Sequence, residues 1–244
     1  MFFFKKKNTT ETDLSWVGTD IHSHLIPGID DGAQNMDASM ELIKGMANFG
    51  YKKLITTPHI LWELYPNTPE IIRSGLNNVR DKIKEKGLAI EIEAGAEYFM
   101  DEHLEQLLEK RSRLLTIKGN MVLVEFSMVT IPMDLKKILF ELQIQNYEPI
   151  LAHPERYVYF ERQKEFFTEL KTFGCLFQLN MLSLTGYYGP SVQELAEYLV
   201  KNNFYDFVGS DLHNERHLEA LKKVSLSGHF KKLKDSGRIR NAQL

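Results

Sequence analysis

Short β-rich runs alternate with longer stretches of helical periodicity along almost the whole chain. The runs fall at roughly 17–23 (VGTDIHS), 53–59 (KLITTPH), 89–97 (AIEIEAGAE), 121–127 (MVLVEFS), 149–153 (PILAH), 176–182 (LFQLNML) and 206–211 (DFVGSD). Between them, stretches near 36–49, 69–86, 101–111, 133–146, 162–173, 190–202 and 214–226 space their apolar residues three and four apart, as one face of a helix requires. Pro69 and Pro190 suit the opening turn of a helix, where a missing N–H costs nothing, and Asp37 reads as capping the second turn of the first helix. Seven β-then-α units imply mostly parallel strands covered on both faces. A closed barrel and a doubly wound sheet both satisfy that alternation.

The polar residues separate the two. Nearly every run ends in His, Asp or Glu: His22 and His24, His59, Glu97, Glu125, His153, then Asp211 and His213. An open sheet gathers its ligands from two or three loops at one switch point. A barrel collects residues from the C-terminal ends of most strands onto one face, and six of the seven runs contribute here. The pattern therefore predicts an α/β barrel in one domain.

His22 and His24 lie two apart, so on a strand both imidazoles leave on one face and can grip one divalent ion. Asp211 and His213 repeat that spacing in the last run. Carboxylates rarely end apolar strands without a task, yet Asp31, Glu97, Glu125 and Asp211 do so. Together these nine residues form an N/O donor set without sulfur, suited to two or three ions of manganese, iron, zinc or magnesium. Four carboxylates alone would repel a phosphate, whereas three divalent ions reverse the sign of the site. His103, His217 and His229 fall in helical or terminal stretches and read as solvated, and Glu91 and Glu93, near a strand start, read as structural.

Composition narrows the chemistry further. The 244 residues are 43% hydrophobic and 26% charged, enough for a large core. Thirty basic against thirty-three acidic residues give a net charge of -3, which argues against a nucleic-acid partner held by a broad positive field. The single cysteine, Cys175, lies in an apolar run, excludes an internal disulfide and fits a cytoplasmic protein. The N-terminal MFFFKKKNTTETD is too short in apolar length to span a bilayer and has the wrong order for a signal peptide. It reads as an arm over 1–16 preceding a domain over 17–244, and no later segment is a transmembrane candidate. No Walker A loop, G-x-G-x-x-G or G-x-S-x-G elbow is present.

The motifs DIHSHLIPGIDDGA (20–33), TTPH (56–59), GAEY (95–98), HPERY (153–157) and SDLH (210–213) resemble, in order, those of the PHP (polymerase and histidinol phosphatase) superfamily. The first motif and HPERY are similar to one branch, the manganese-dependent protein-tyrosine phosphatases encoded beside bacterial capsule and exopolysaccharide genes. The resemblance runs from about residue 18 to 228 and implies a distorted (β/α)7 barrel with three metals. It implies that His22, His24, Glu97 and Asp211 hold the first ion, that Glu97, Glu125 and His153 hold the second, and that Asp31, His59 and His213 hold the third. The loop 60–68 (ILWELYPNT) would rim the site.

Arg156, three residues after His153, can present its fork to phosphate oxygens, a role the resemblance supports. Arg216, three after His213, is a second candidate, and Asp211 or His213 is the candidate proton donor. Asp20 shares the face of His22 and reads as a supporting residue or a plain strand start. The implied activity is hydrolysis of phosphotyrosine by a metal-activated hydroxide, with the tail of a membrane-associated bacterial tyrosine autokinase as the implied partner. The alternatives are a phosphomonoesterase acting on a small molecule such as histidinol phosphate, and a non-catalytic, metal-stabilised module that docks on a kinase.

Overall fold

The computed structural model describes residues 12–244. Its strands are β1 (Thr19–Asp20), β2 (Lys53–Thr56), β3 (His59–Ile60), β4 (Glu91–Ala94), β5 (Glu97–Phe99), β6 (Met121–Glu125), β7 (Glu148–Ala152), β8 (Leu176–Asn180) and β9 (Phe207–Gly209). They pair in parallel in the orders β1-β2-β4 and β3-β5-β6-β7-β8-β9.

These two sheets are one barrel interrupted at a single level. The run 53–59 divides into β2 and β3 at Thr57-Pro58, because proline brings no N–H to a ladder. Its neighbour divides into β4 and β5 at Gly95-Ala96. The interruption is bridged by Thr57 N–H donating to Ser23 O (2.7 Å), Gly95 N–H to Thr56 O (3.0 Å) and Glu97 N–H to Pro58 O (3.1 Å). Seven staves result. The circuit closes where Asp211 N–H donates to His22 O (2.8 Å) and His24 N–H to Leu212 O (2.9 Å). This is the distorted (β/α)7 barrel expected, with the distortion at a seam where β1 and β9 meet through a single bridge, Ser23 to Leu212, instead of a full ladder.

The helices are α1 (Met36–Asn48), α2 (Pro69–Glu85), α3 (Glu102–Glu109), α4 (Leu135–Ile144), α5 (Glu165–Thr172), α6 (Pro190–Lys201), α7 (Glu215–Leu221) and α8 (Gly228–Ser236). Pro69 and Pro190 do open α2 and α6. The cap of α1 is Asn35, whose side chain accepts from Ala38 N–H (3.0 Å), while Asp37 sits inside the first turn. The stretch 214–226 is not one helix: α7 ends at Leu221 and a 3₁₀ turn follows at Val224–Leu226. The hydrophobic pattern gave no sign of α8, because only Phe230 and Leu233 of its nine residues are buried. Among the described residues no helix is long and apolar enough to cross a membrane.

Apolar side chains form two layers. Ile21, Ile55, Leu123, Ile150 and Phe207 fill the barrel interior, and a larger shell including Leu54, Val122, Val124, Leu151 and Val208 packs between staves and helices. Each fully buried side chain of this kind contributes about 1.5–3 kcal/mol relative to exposure. Leu14 is buried in the shell, its N–H donating to Phe49 O (2.8 Å), and Trp16 packs on Phe230 at 5.3 Å. Residues 12–16 of the expected arm are therefore packed on the barrel; 1–11 lie outside the described residues.

The chain's end closes the bottom of the seam. Asn241 is fully buried; its Nδ2 donates to Thr19 O and Val208 O (both 2.8 Å), and its Oδ1 accepts from Val208 N–H (2.9 Å). Lys53 there reaches Glu93 (3.0 Å) and Glu91 (3.7 Å), so both carboxylates lie at the end opposite the histidines. Asn241→Ala strands these three backbone groups without partners. It is expected to cost about 2–3 kcal/mol in equilibrium urea unfolding, and a loss within experimental error would show that the seam is held elsewhere.

Candidate metal centre

The inward face of β6 reads Leu123 then Glu125, and that of β8 reads Leu176, Gln178, Asn180, so each stave changes from apolar to polar as it rises. Two residues reach the mouth by another route. His153 follows Leu151 in alternation and would face the outer shell, but its left-handed backbone (φ 35°) turns it inward. Asp211 is left-handed as well (φ 50°). Such conformations are uncommon for non-glycine residues and are held by surrounding structure.

All nine residues of the donor set converge at this mouth. Glu97 is the centre: its Oε2 lies 3.1 Å from His22 Nε2, 3.2 Å from His59 Nδ1 and 3.5 Å from His24 Nε2, and its Oε1 lies 3.1 Å from His153 Nε2. Asp211 Oδ1 lies 3.2 Å from His22 Nε2 and 3.5 Å from His24 Nε2. Glu125 Oε1 approaches His59 Nδ1 at 3.0 Å, and Asp31 Oδ1 approaches His59 Nε2 at 3.5 Å and His213 Nε2 at 3.4 Å. The donors fall into four sets, each within 4.8 Å: His22, His24 and Asp211; His22, Glu97 and His153; His59, Glu97 and Glu125; and His24, Asp31, His59 and His213. Asp31 stands at the exposed edge, while Glu97, His22 and His24 are fully buried.

The orientation of two imidazoles decides what this arrangement can hold. His22 Nδ1 lies 2.7 Å from Gln178 Oε1, which can only accept, so Nδ1 carries the proton and Nε2 turns a lone pair toward Glu97 and Asp211. His24 repeats this: Nδ1 donates to Asp30 Oδ2 (2.8 Å) and Nε2 faces the same two carboxylates. Lone pairs and carboxylate oxygens at such distances repel unless a proton or metal cation lies between them. His22 Nε2, His24 Nε2, His59 Nδ1 and Glu97 Oε2 are buried without hydrogen-bond partners, as atoms reserved for a cation would be. The donor set therefore fits divalent metal ions, with Gln178 and Asp30 setting the ligand tautomers.

Charge follows the same geometry. Burial alone would discharge His22, but Glu97 and Asp211 lift its pKa to about 9. Burial would raise Glu97 and Asp211, and His22 overcomes this, holding both carboxyls well below the usual range. Burial likewise opposes the charge on Asp30, which His24 brings down to about 2.

Several supporting residues went unrecognised in the sequence. Asp30, beside Asp31, orients His24 and accepts from His59 N–H (3.2 Å). Asn180 donates to Asp211 Oδ2 (2.8 Å). Gln178 and Asn180 were visible as polar residues at alternate positions of an apolar strand. His217 is not simply solvated: half-buried, its Nδ1 lies 3.0 Å from Asp211 O and its ring packs edge-on to His213. His103 likewise lies under Trp62 at 4.0 Å, and His229 sits 3.6 Å from Glu197. Asp20 accepts from Ser210 N–H (2.8 Å) and Oγ (2.9 Å), tying the first stave to the last.

Arg156 reaches the site and Arg216 does not. Arg156 Nη1 donates to Asp211 Oδ2 (3.1 Å), and its guanidinium lies 4.6 Å from the Tyr188 ring centroid. The short turn carrying His153 and Arg156 is pinned by the buried Glu155, which accepts from Asn180 N–H (2.9 Å), Ser183 Oγ (2.7 Å) and Tyr205 OH (3.0 Å). Arg216 is exposed on the first turn of α7 and forms no ion pair among the described residues. In the loop 60–68, Tyr65 stacks over His59 at 5.6 Å, and Asn67 Nδ2 donates to Ile29 O (2.9 Å) and His59 O (2.8 Å).

A family model described as capsular polysaccharide synthesis, CpsB/CapC, matches residues 18–227. Tyrosine-protein phosphatase YwqE of Bacillus subtilis (strain 168) is 29% identical over 195 residues, covering 80% of this chain and 77% of that protein. A solved structure, from work describing YwqE of Bacillus subtilis and CpsB of Streptococcus pneumoniae as unique metal-dependent tyrosine phosphatases, superposes with a TM-score of 0.80. It is 26% identical and covers 92% of this chain and 90% of that one. The lactonase Lmo2620 from Listeria monocytogenes shares the fold, with a TM-score of 0.53 at 14% identity over 95% of this chain and 92% of that one.

Two predictions follow from the geometry. With a pKa near 9, His22 of the metal-free protein is protonated at pH 7, whereas a ligating imidazole must be neutral. Metal loading at pH 7 therefore expels protons, and affinity rises as the pH climbs towards 9; calorimetry in buffers of different ionisation enthalpy should show a buffer-dependent heat, and equal heats would refute the assignment. In Gly32→Ala the new Cβ would lie 2.3 Å from His24 O and 2.4 Å from His24 Cβ, displacing that imidazole. The variant is expected to retain fewer bound metal ions per chain after dialysis than the parent.

Proposed function

The chain belongs to the capsular polysaccharide synthesis CpsB/CapC family, and on that premise we propose that it is a metal-dependent protein-tyrosine phosphatase. The observation that carries the proposal is the set of buried donor atoms without partners, convergent on Glu97 and bordered by one guanidinium. In this reading His22, His24, Glu97 and Asp211 hold one ion, Glu97, Glu125 and His153 a second, and Asp31, His59 and His213 a third, with manganese as the metal. Its protein substrate carries phosphotyrosine, with a membrane-associated bacterial tyrosine kinase as the partner and the cytoplasm as the compartment.

Divalent ions held there supply Lewis-acid activation of water and neutralise phosphate charge. The protein's own groups do the rest. Arg156, braced between Asp211 and Tyr188, offers its remaining N–H donors to non-bridging phosphate oxygens and to the charge that grows on them. Asp211 is held ionised, which suits a ligand and acceptor and not a proton donor. A tyrosyl leaving group, with a pKa of about 10, needs little protonation. No thiolate route competes: Cys175 is fully enclosed, and burial pushes its thiol up to about 12.

The test is turnover of a phosphotyrosine peptide and of histidinol phosphate by manganese-loaded protein. Peptide hydrolysis is expected, abolished in His22→Ala and in Glu97→Ala. Arg156→Ala should lower kcat roughly 10²–10³-fold as a lost transition-state donor, while Arg216→Ala, at an exposed position with no ion pair among the described residues, should change it far less. Preference for histidinol phosphate would overturn the substrate assignment.

A further inference from the structure

Most of the large hydrophobic side chains left exposed among the described residues stand at the barrel's mouth. Trp62 and Leu64 lie on the loop after β3, Val129, Ile131 and Met133 on the loop after β6, and Tyr187 on the turn after β8. Leu64 is 67% exposed, Val129 86% and Met133 100%. In a parallel barrel every one of these loops leaves the C-terminal face, the face that carries the donor cluster. Singly exposed apolar residues need no explanation, but several ringing one opening mark a binding surface.

The loops after β3 and β6 flank α3 and are tied together through it. Trp62 stacks on His103 at 4.0 Å, and two residues along α3 Glu105 accepts from Lys137 at the start of α4, directly after the second loop. The base of that loop is pinned by Tyr159 OH donating to Ser127 O (2.8 Å), so Val129, Ile131 and Met133 project from a fixed root.

We propose that this rim binds the polypeptide on either side of the phosphotyrosine, favouring large apolar flanking residues and rejecting acidic ones. The inference rests on the phosphatase reading above and deepens it. A recessed cluster whose central residue is fully buried can be reached by a side chain projecting from an extended segment, and the segment itself must then lie across the rim. Exposed carboxylates among the apolar residues, Glu63 and Glu102, repel acidic flanks. They disfavour an anionic bilayer on the same surface, which makes a peptide the better occupant.

The experiment uses manganese-loaded protein and fluorescent peptides carrying a non-hydrolysable difluoromethylphosphonate in place of the tyrosine phosphate, flanked by Leu, Ser or Glu. Anisotropy should show the Leu peptide binding about tenfold more tightly than the Ser peptide, with the Glu peptide weakest. The triple variant Val129→Ser/Ile131→Ser/Met133→Ser should lose the Leu preference yet turn over p-nitrophenyl phosphate like the parent. Equal binding of all three peptides by the parent, or a Leu preference that survives the triple substitution, overturns the rim. So does parent protein that sediments with phosphatidylserine vesicles in a rim-dependent way while ignoring peptide flanks. Failure to hydrolyse p-nitrophenyl phosphate and an ordinary phosphopeptide would instead sink the phosphatase reading, and the anisotropy series would still decide the rim.

Discussion

A buried carboxylate facing four imidazoles is the constraint on which the rest of this structure depends. Glu97 has no access to water, and its two oxygens meet nitrogen atoms of His22, His24, His59 and His153. An unpaired charge in such a place would cost several kcal/mol. Protons on the histidines can neutralise it, and so can metal ions, but only the second solution uses the lone pairs that Gln178 and Asp30 aim at it. Much of the surrounding detail then has a reason: the left-handed backbones of His153 and Asp211, the glycine at 32 that lets one loop lie against His24, and Glu155 fixing the turn that carries Arg156.

The barrel tolerates this concentration of polar groups because it separates them along its axis. The lower interior is filled by Ile21, Ile55, Leu123, Ile150 and Phe207, and sealed by the chain's end through Asn241. The upper interior is given to the donor residues. Gln178 stands at the boundary, one step above Leu176 and one below Asn180, and its single contact to His22 joins the two zones. The weak seam between β1 and β9 lies beside the pair of staves that carry His22, His24, Asp211 and His213. Substrate-side geometry there depends on a few side-chain bonds, Asp20 to Ser210 among them, instead of a continuous ladder.

Legibility in the sequence tracked the range of the interactions. Strand and helix alternation is local, so seven staves and their first seven helices could be placed from periodicity, and the donor residues that meet at the mouth followed from strand ends. The breaks at Pro58 and Gly95 were harder, because a run of β-formers looks continuous whether or not each N–H finds its partner. What escaped was mostly tertiary. Asp30 is indistinguishable from Asp31 until the loop is folded against His24, and His217 looks like any helix-surface histidine until Asp211 presents a carbonyl to it. α8 escaped for a different reason: two buried residues make no stripe.

Asp30, the carboxylate that orients His24, changes the electrostatic argument as well. Five carboxylates, Asp30, Asp31, Glu97, Glu125 and Asp211, stand within one mouth, and Arg156 is the guanidinium drawn into contact with them. Without metal, a phosphate dianion approaching that assembly meets carboxylates offset by Arg156 and by protonated imidazole such as His22, not by divalent charge. Arg156 compensates only in part, since Asp211 already holds one of its N–H groups. The same cluster that makes a divalent cation favourable makes a bare anion unwelcome. A chain whose one thiol is sealed in the core has no thiolate route to a phosphotyrosine, and its near-neutral overall charge conceals an acidic site whose sign divalent cations would reverse.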